Sequence, residues 1–310
     1  MGGIGVVHNP FARKNLKNPS MSTELVAILG TYGTVYVTKN LLEVEKAAED
    51  FIEKGYTILA INGGDGSLHL VINAFKKIFK DAELPDVVIL RGGTMNTVSN
   101  SLKLKGQPAE ILSRVVTIYK NKEKFDVIQQ QVLKVGDKYG FMTGTGAIAK
   151  FLDVYYAGTH TGVVESVKMI LLMIMSTITG TDYVKKIFSP VAMKIIIDGK
   201  NPGQESYVAV LGCAVRELGV GFAVAHSAHD KKGCFHFTAT SMNPFSLILR
   251  MWSLWAGKDI SHPDMYHHGI AADVVIEPVG SLRWMFDGEM YDTTEPLQIS
   301  VGDEIRILRI

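Results

Sequence analysis

Two apolar runs, each closing on a glycine-rich turn, set the tightest limit on how this chain folds. Residues 58–70 read ILAINGGDGSLHL and residues 87–97 read VVILRGGTMNT. A short run of aliphatic and β-branched residues bounded by glycine reads as a buried strand. Glycine after such a strand tolerates positive φ and, lacking Cβ, lets another group come close to the backbone. In a parallel sheet, ligands gather beyond the C-terminal ends of the strands. Two such turns in one half of the chain are therefore expected to face one site.

The surrounding segments support a parallel sheet. Gly5–His8, Val35–Val37, Thr57–Ile61 and Val87–Leu90 read as strands, whereas Asn40–Lys54, Leu68–Phe79 and Gln107–Tyr119 have helical spacing of apolar positions. In Asn40–Lys54 those positions are Leu41, Leu42, Val44, Ala47, Ala48, Phe51 and Ile52. Strands and helices in close alternation predict parallel pairing with right-handed crossovers.

From about Lys124 the texture changes to short β-branched stretches such as VAMKIII, SYVAVLG, ADVVIEP and DEIRILRI, which predict an antiparallel β domain. Helical inserts are expected at Gly162–Thr179 and Pro244–Ala256. The fold expected is α/β in two domains. The first is an N-terminal α/β nucleotide-binding domain over residues 1–122; the second is an antiparallel β-sandwich-like domain with helical inserts over 123–310. The charged NKEKF segment marks the boundary, and the final strand is expected to pack back toward the first domain.

At 310 residues the chain exceeds the size at which one core usually keeps growing. Its 32 basic and 31 acidic side chains give a net charge of +1, without the basic excess of a nucleic-acid-binding protein. Cys213 and Cys234 are isolated, which argues against a disulfide framework and against a cysteine-based zinc site. The N-terminal residues lack an export pattern, and the apolar run MILLMIM (Met169–Met175) is too short to span a bilayer. A cytoplasmic protein with transient contact at a membrane surface is expected, and a homodimer is compatible with the apolar helices.

The turns suit phosphate. Gly63, Gly64 and Gly66 lie where a strand passes into a helix, whose first N–H groups and positive dipole end attract an anion. Ser67 can cap that helix or bond a phosphate oxygen, and Asp65 is suited to Mg²⁺ or a hydroxyl. Gly92, Gly93, Thr94 and Asn96 repeat the design, and Arg91 adds a forked cation. Neither turn has the GxxxxGK[ST] or the GxGxxG form.

The motifs NGGDGS and RGGTMNT together resemble the diacylglycerol kinase catalytic domain family, which includes bacterial lipid kinases and sphingosine and ceramide kinases. In that family the first motif is usually GGDGT, with Ser67 here in the threonine position. The second is commonly GTxND, matched by Gly93, Thr94, Met95 and Asn96, with Thr97 in place of the aspartate. Asn9-Pro10 matches a near-N-terminal NP motif, with Ala12-Arg13 where SG often follows, and Asp287-Gly288-Glu289 matches a C-terminal DGE.

The resemblance implies an ATP- and Mg²⁺-dependent kinase that phosphorylates a lipid hydroxyl. Asn9 and Arg13 or Lys14 would complete the nucleotide side, and Asp65 and Glu289 are the implied catalytic carboxylates, with the base and metal roles open between them. Asp287 is a further metal candidate, although Asp-Gly also signals a hairpin. Asp126, Lys150 and Asp153 are implied on the lipid side, while Arg283 reads as a solvated strand residue. Two other readings use the same features: an enzyme like the NAD kinases, which share a GGDG turn, and a non-catalytic lipid or nucleotide sensor.

Two uses fit the FSLILRMWSLWAG helix: covering a sheet, or bordering an acyl-chain pocket or the membrane interface. His226 and His229, with His262, His267 and His268, show no zinc spacing and read as surface or cleft residues.

Overall fold

The computed structural model describes residues 2–80, 82–157, 163–179, 181–218 and 221–310, which form two compact units. The first comprises residues up to Gln130 together with Asp303–Ile310, and the second Gln131–Gly302. The division falls inside a continuous strand, beyond the charged NKEKF segment.

In the first unit β1 (Ile4–His8), β2 (Gly33–Val37), β3 (Ile58–Asn62) and β4 (Asp86–Ile89) form a parallel sheet in the order β2-β1-β3-β4. Every residue of β1 and β3 is buried, as the unbroken apolar runs predict. Between the strands lie α1 (Arg13–Leu16), α2 (Met21–Leu29), α3 (Leu41–Lys54), α4 (Asp65–Phe79), α5 (Thr97–Ser101) and α6 (Pro108–Asn121).

Local chemistry sets the helix ends. Asn40 caps α3 by accepting the Glu43 N–H at 3.0 Å, and Gly55 closes it in the left-handed conformation. Pro108 opens α6 behind a Gln107–Glu110 capping box. Of the apolar positions expected on α3, Val44, Ala47, Ala48 and Phe51 are buried, whereas Leu41, Leu42 and Ile52 face solvent. The spacing marks a stripe wider than the face the sheet covers.

Helix α4 starts at Asp65, earlier than the expected Leu68. Gly64 is its N-cap residue, so the second half of the glycine turn is already the first helical turn. That brings the N–H groups of residues 65–67 to the strand end of the sheet.

The second unit contains the body of β5 (Asp126–Val135), then β6 (Lys138–Gly140), β7 (Met142–Gly146), α7 (Ala147–Ala157), α8 (Val163–Thr179), α9 (Asp182–Ile187), β8 (Val191–Ile197), β9 (Ser206–Tyr207) and β10 (Ala209–Cys213). There follow β11 (Phe235–Thr240), α10 (Pro244–Trp255), β12 (Met265–Ala271), β13 (Asp273–Pro278), β14 (Leu282–Phe286), β15 (Glu289–Thr293) and the start of β16 (Leu297–Arg309). Both helical inserts are present; Gly162, the expected start of the first, lies outside the described residues.

One antiparallel sheet runs β12-β11-β10-β7-β14-β15. A second antiparallel set joins β8 to β13 and β13 to β16. Side chains from both sets, among them Ile195, Val274, Ile299, Phe235, Phe237 and Phe286, fill one hydrophobic cluster. The last strand, β16, leaves this unit at Gly302, and within the first unit its Ile307 pairs in parallel with Val87 of β4.

Phe51 joins helix to sheet in the first unit. Its ring lies 4.9 Å from Phe75, 5.3 Å from Tyr56 and 5.7 Å from Tyr36, centroid to centroid. Phe51→Ala is expected to lower stability by about 3–5 kcal/mol through the cavity it leaves. Urea unfolding followed by circular dichroism measures this; a loss under about 1 kcal/mol would show that the aromatic cluster is not what holds α3 to the sheet.

Candidate active site

The two glycine turns meet backbone to backbone. A Cβ built on Gly64 would stand 3.3 Å from Gly93 Cα, and one built on Gly93 would overlap Gly64 Cα. A Cβ on Gly92 would overlap the Asn62 carboxamide and press to 3.1 Å from Asn15 Oδ1, and one on Gly63 would overlap Ser67. None of these four glycines has left-handed backbone; Arg91 (φ 61°) and Asn96 (φ 48°) do. The requirement for glycine is therefore close approach, not positive φ.

Asp65 ties the turns together. Its Oδ2 accepts the Thr97 N–H at 3.0 Å and its Oδ1 the Val98 N–H at 3.2 Å. The carboxylate thus satisfies the first N–H groups of α5, where the N-cap residue Asn96 supplies no side-chain cap. It also occupies the first turn of α4, where negative charge complements the helix dipole. Asn96 instead turns its Nδ2 back to the Gly93 carbonyl at 2.9 Å. Thr97, nearly fully buried, meets the Asp65 carboxylate through its backbone.

A row of asparagines backs the site. Asn9 Nδ2 donates to Ser67 Oγ at 2.8 Å, while its Oδ1 accepts the Phe11 N–H at 2.9 Å. Asn15 Nδ2 donates to the carbonyls of Asn9 (2.7 Å) and Asn62 (3.2 Å), and Asn62 Nδ2 meets His8 Nδ1 at 2.9 Å. Burial lowers the pKa of His8, which favours its neutral, accepting form. The Oδ1 atoms of Asn15 and Asn62 are buried without a hydrogen-bond partner, both beside Gly92. Such acceptors are costly when unpaired and are often found where function requires them.

Two cations border the second turn. The Lys14 N–H donates to the Gly92 carbonyl and its Nζ to the Arg91 carbonyl, each at 3.2 Å. Burial, and then the Arg91 charge, lower the Lys14 pKa. Arg91 points away along α5, donating to Asn100 Oδ1 at 2.9 Å and to the Leu104 carbonyl. Burial lowers its pKa, with Asp65 opposing. An anion beside Lys14 would favour the ammonium form of this partly desolvated lysine.

Asn9, Gly63, Gly64, Asp65, Ser67, Gly92, Gly93 and Asn96 are thus brought together, with exposed Thr94 on the second turn, Arg13 opening α1, and Gly66 second in α4. The sequence reading missed Asn15, Asn62 and Asn100, and held Lys14 only as an alternative to Arg13. A short polar residue in a buried strand or beside the NP segment is the only sequence signal for them.

The remaining candidates belong to other elements. Asp126, at the exposed start of β5, pairs with Arg309 at 3.4 Å. In the second unit Asp287 is buried with φ 49°, and Gly288 follows at φ 90°, the two-residue left-handed turn that Asp-Gly favours in hairpins. The Asp287 carboxylate accepts the N–H groups of Phe141 (2.9 and 3.1 Å) and Met142 (2.9 Å), fastening the β6–β7 junction to the hairpin. Glu289 opens β15 and is exposed. Lys150 Nζ donates to the backbone and hydroxyl oxygens of Ser189, each at 2.7 Å, and burial lowers its pKa. Asp153 accepts from Arg283 at 2.9 Å, and Arg283 also reaches Asp292 at 2.6 Å, so this arginine is fully paired.

Among the described residues no group of three or more His, Cys, Asp or Glu side chains is arranged to hold a metal ion. The turns nevertheless suit a phosphate chain, because the first turn of α4 follows the first of them and Lys14 borders the second. Mg²⁺ held largely by phosphates needs only one or two protein carboxylates, and Asp65 supplies one at this place.

His226, His236 and His268 form a separate cluster, with ring centroids 4.8–5.3 Å apart. His236, fully buried, meets Ser227 Oγ at 2.6 Å and Thr238 Oγ1 at 3.0 Å, and Thr238 Oγ1 meets His268 Nδ1 at 2.9 Å. His226 and His268 are partly buried, whereas His236 is not singled out in the sequence. Burial, reinforced by the neighbouring imidazoles, pushes His236 down to about 2 and His268 to about 4.

The profile of the diacylglycerol kinase catalytic domain matches residues 4–130. A diacylglycerol kinase of Staphylococcus saprophyticus subsp. saprophyticus is 28% identical over 115 residues, a stretch that spans 36% of this chain and 36% of that enzyme's length. A solved structure of a diacylglycerol kinase from Bacillus anthracis str. Sterne superposes with a TM-score of 0.68 at 17% identity, covering 99% of this chain and 97% of that one. A second structure from the same strain gives 0.72 at 17% identity over the same shares. At such identities the likeness is one of fold. The similarity to the diacylglycerol kinase catalytic domain thus covers residues 4–130, the greater part of the first unit.

Gly93→Ala is expected to force the two turns apart, costing about 1–3 kcal/mol of stability. Urea unfolding measures the loss; unchanged stability would mean that the turns can separate freely. For the imidazole cluster, the folded-state pKa of His268 lies below its ordinary 6.5, so the unfolded chain binds the proton first. Stability is therefore retained above pH 6.5 and is lost as pH falls from 6.5 toward about 4. His268→Gln should flatten that loss in urea titrations across the window, and an unaltered slope would mean that other groups set it.

Proposed function

We propose that this chain is an ATP-dependent lipid kinase, moving the γ-phosphoryl group of ATP to the hydroxyl of a lipid such as diacylglycerol. The observation that supports it best is the contact of the two glycine turns, with Lys14 and the first turn of α4 beside it, inside the matched segment.

In such a transfer the lipid hydroxyl oxygen bonds to the γ-phosphorus as the bond to the bridging oxygen of ADP breaks, and the hydroxyl proton passes to a base. The backbone N–H groups of residues 63–67 and 92–94 would hold the phosphates, with Lys14 neutralising charge. Asn9 fixes the Ser67 hydroxyl, and Asn15 and Asn62 offer buried acceptors behind the turn. Mg²⁺ would supply charge neutralisation on the phosphate oxygens, and Asp65 is the carboxylate proposed for it. Asp287, with three short contacts to backbone N–H groups, is better suited to positioning the hairpin that bears Glu289. Glu289 is the proposed acceptor of the hydroxyl proton. The internal contacts of Lys150 and Asp153 suit them to holding α7 in place within the second unit.

A second reading draws on one observation. Both Asp65 oxygens serve α5, as a purely structural cap would, and a non-catalytic nucleotide sensor would need nothing more.

Transfer of labelled γ-phosphate from ATP with Mg²⁺ to micelles of a total lipid extract tests the proposal. An organic-soluble labelled product is expected, and its mass identifies the acceptor. Glu289→Gln should lower kcat by about 100- to 10,000-fold, with melting temperature unchanged because the side chain is exposed. ATP binding without any labelled product would replace the kinase with the sensor, and an unaltered kcat would remove Glu289 as the base.

A further inference from the structure

We propose that the outward faces of α8 and α10, which pack against each other in the second unit, form a docking surface for an anionic lipid bilayer. On α10, Phe245, Leu249 and Trp252 fall on one helical stripe and point away from the fold. Trp252 is 80% exposed and Leu249 65%, while Leu247 and Leu254 on the other side pack into the cluster with Leu211 and Cys213 of β10. On α8, Leu171, Leu172 and Met175 are likewise more than half exposed. An exposed apolar patch assembled from two neighbouring helices marks an interaction site.

The charges select the occupant. Helix α10 contains no carboxylate, and neither does α8 from Val167 to Thr179; the charged residues in these stretches are Arg250 and Lys168. Helix α9, packed on α8, adds exposed Lys185 and Lys186, of which Lys185 pairs with the exposed Asp182 at 3.0 Å. Exposed Lys258 follows α10, and the neighbouring Asp259 meets His226 at 3.1 Å. A greasy face with a protruding tryptophan and a rim of lysines complements acyl chains below anionic headgroups. The inference rests on the second unit alone and holds whether or not the chain is a kinase.

Among the described residues no helix is long and apolar enough to cross a membrane, so the contact is one of shallow insertion. The full chain, without nucleotide, is sedimented with vesicles of phosphatidylcholine alone or mixed with phosphatidylglycerol, and its mass in solution is measured by light scattering. Binding to the anionic vesicles only is expected, with quenching of tryptophan emission by brominated acyl chains. Trp252→Glu should lower the partition coefficient by about tenfold or more. Lys185→Glu with Lys186→Glu should lower it by about fivefold or more for each charge. Both variants should keep the wild-type circular dichroism spectrum and melting temperature, since these side chains are exposed. Failure to bind either vesicle, or unaltered binding by folded Trp252→Glu, would overturn the proposal. So would a dimer in solution that Trp252→Glu dissociates, which would assign the face to a second copy.

Discussion

Gly64 and Gly93 touch without any side chain between them, and the turns that follow β3 and β4 in the first unit are organised around that contact. With the backbones this close, the Asp65 carboxylate reaches across to the first two N–H groups of α5. The same closeness leaves Gly92 packed on the carboxamides of Asn62 and Asn15, and Lys14 bonded to the carbonyls of Arg91 and Gly92. A Cβ at Gly63, Gly92 or Gly93 would overlap a neighbour in this arrangement. The resulting surface joins backbone N–H groups with one lysine, a combination that suits an anion through geometry as much as through charge.

The second unit uses an aspartate in a related way. Asp287 enters a left-handed turn conformation and spends its carboxylate on the N–H groups of Phe141 and Met142. Gly140 sits so close to that carboxylate that a Cβ there would overlap it. In both units, then, an aspartate beside a glycine satisfies backbone donors of a neighbouring element. Glu289, by contrast, is exposed at the head of the next strand. Arg283 has the opposite fate, held between Asp153 and Asp292.

Much of this was legible in the chain. The parallel strands, the amphipathic α3 and α6, the Asp-Gly hairpin and the two glycine turns follow from local pattern, because each depends on residues only a few positions apart. The reason for the glycines was not legible in full: strand-end glycines suggest positive φ or close approach, and only the packed turns show that the approaching group is the other turn's backbone. One histidine, His236, was passed over for a similar cause. His236 alternates inward on β11 and finds Ser227 and Thr238, partners that a zinc-spacing argument does not consider.

The sequence by itself determined the alternation of strands and helices, the place of the turns after β3 and β4, and the residue types gathered there. Periodicity and steric preference act over a few residues and need no tertiary partner to be read. The tertiary structure decided what those residues touch. It turned Asp65 toward a helix 32 residues away, left Asn15 and Asn62 with buried, unpaired acceptors, and exposed the Trp252 face of α10. Such contacts follow from how whole elements pack, and packing depends on the shapes of all the neighbours at once.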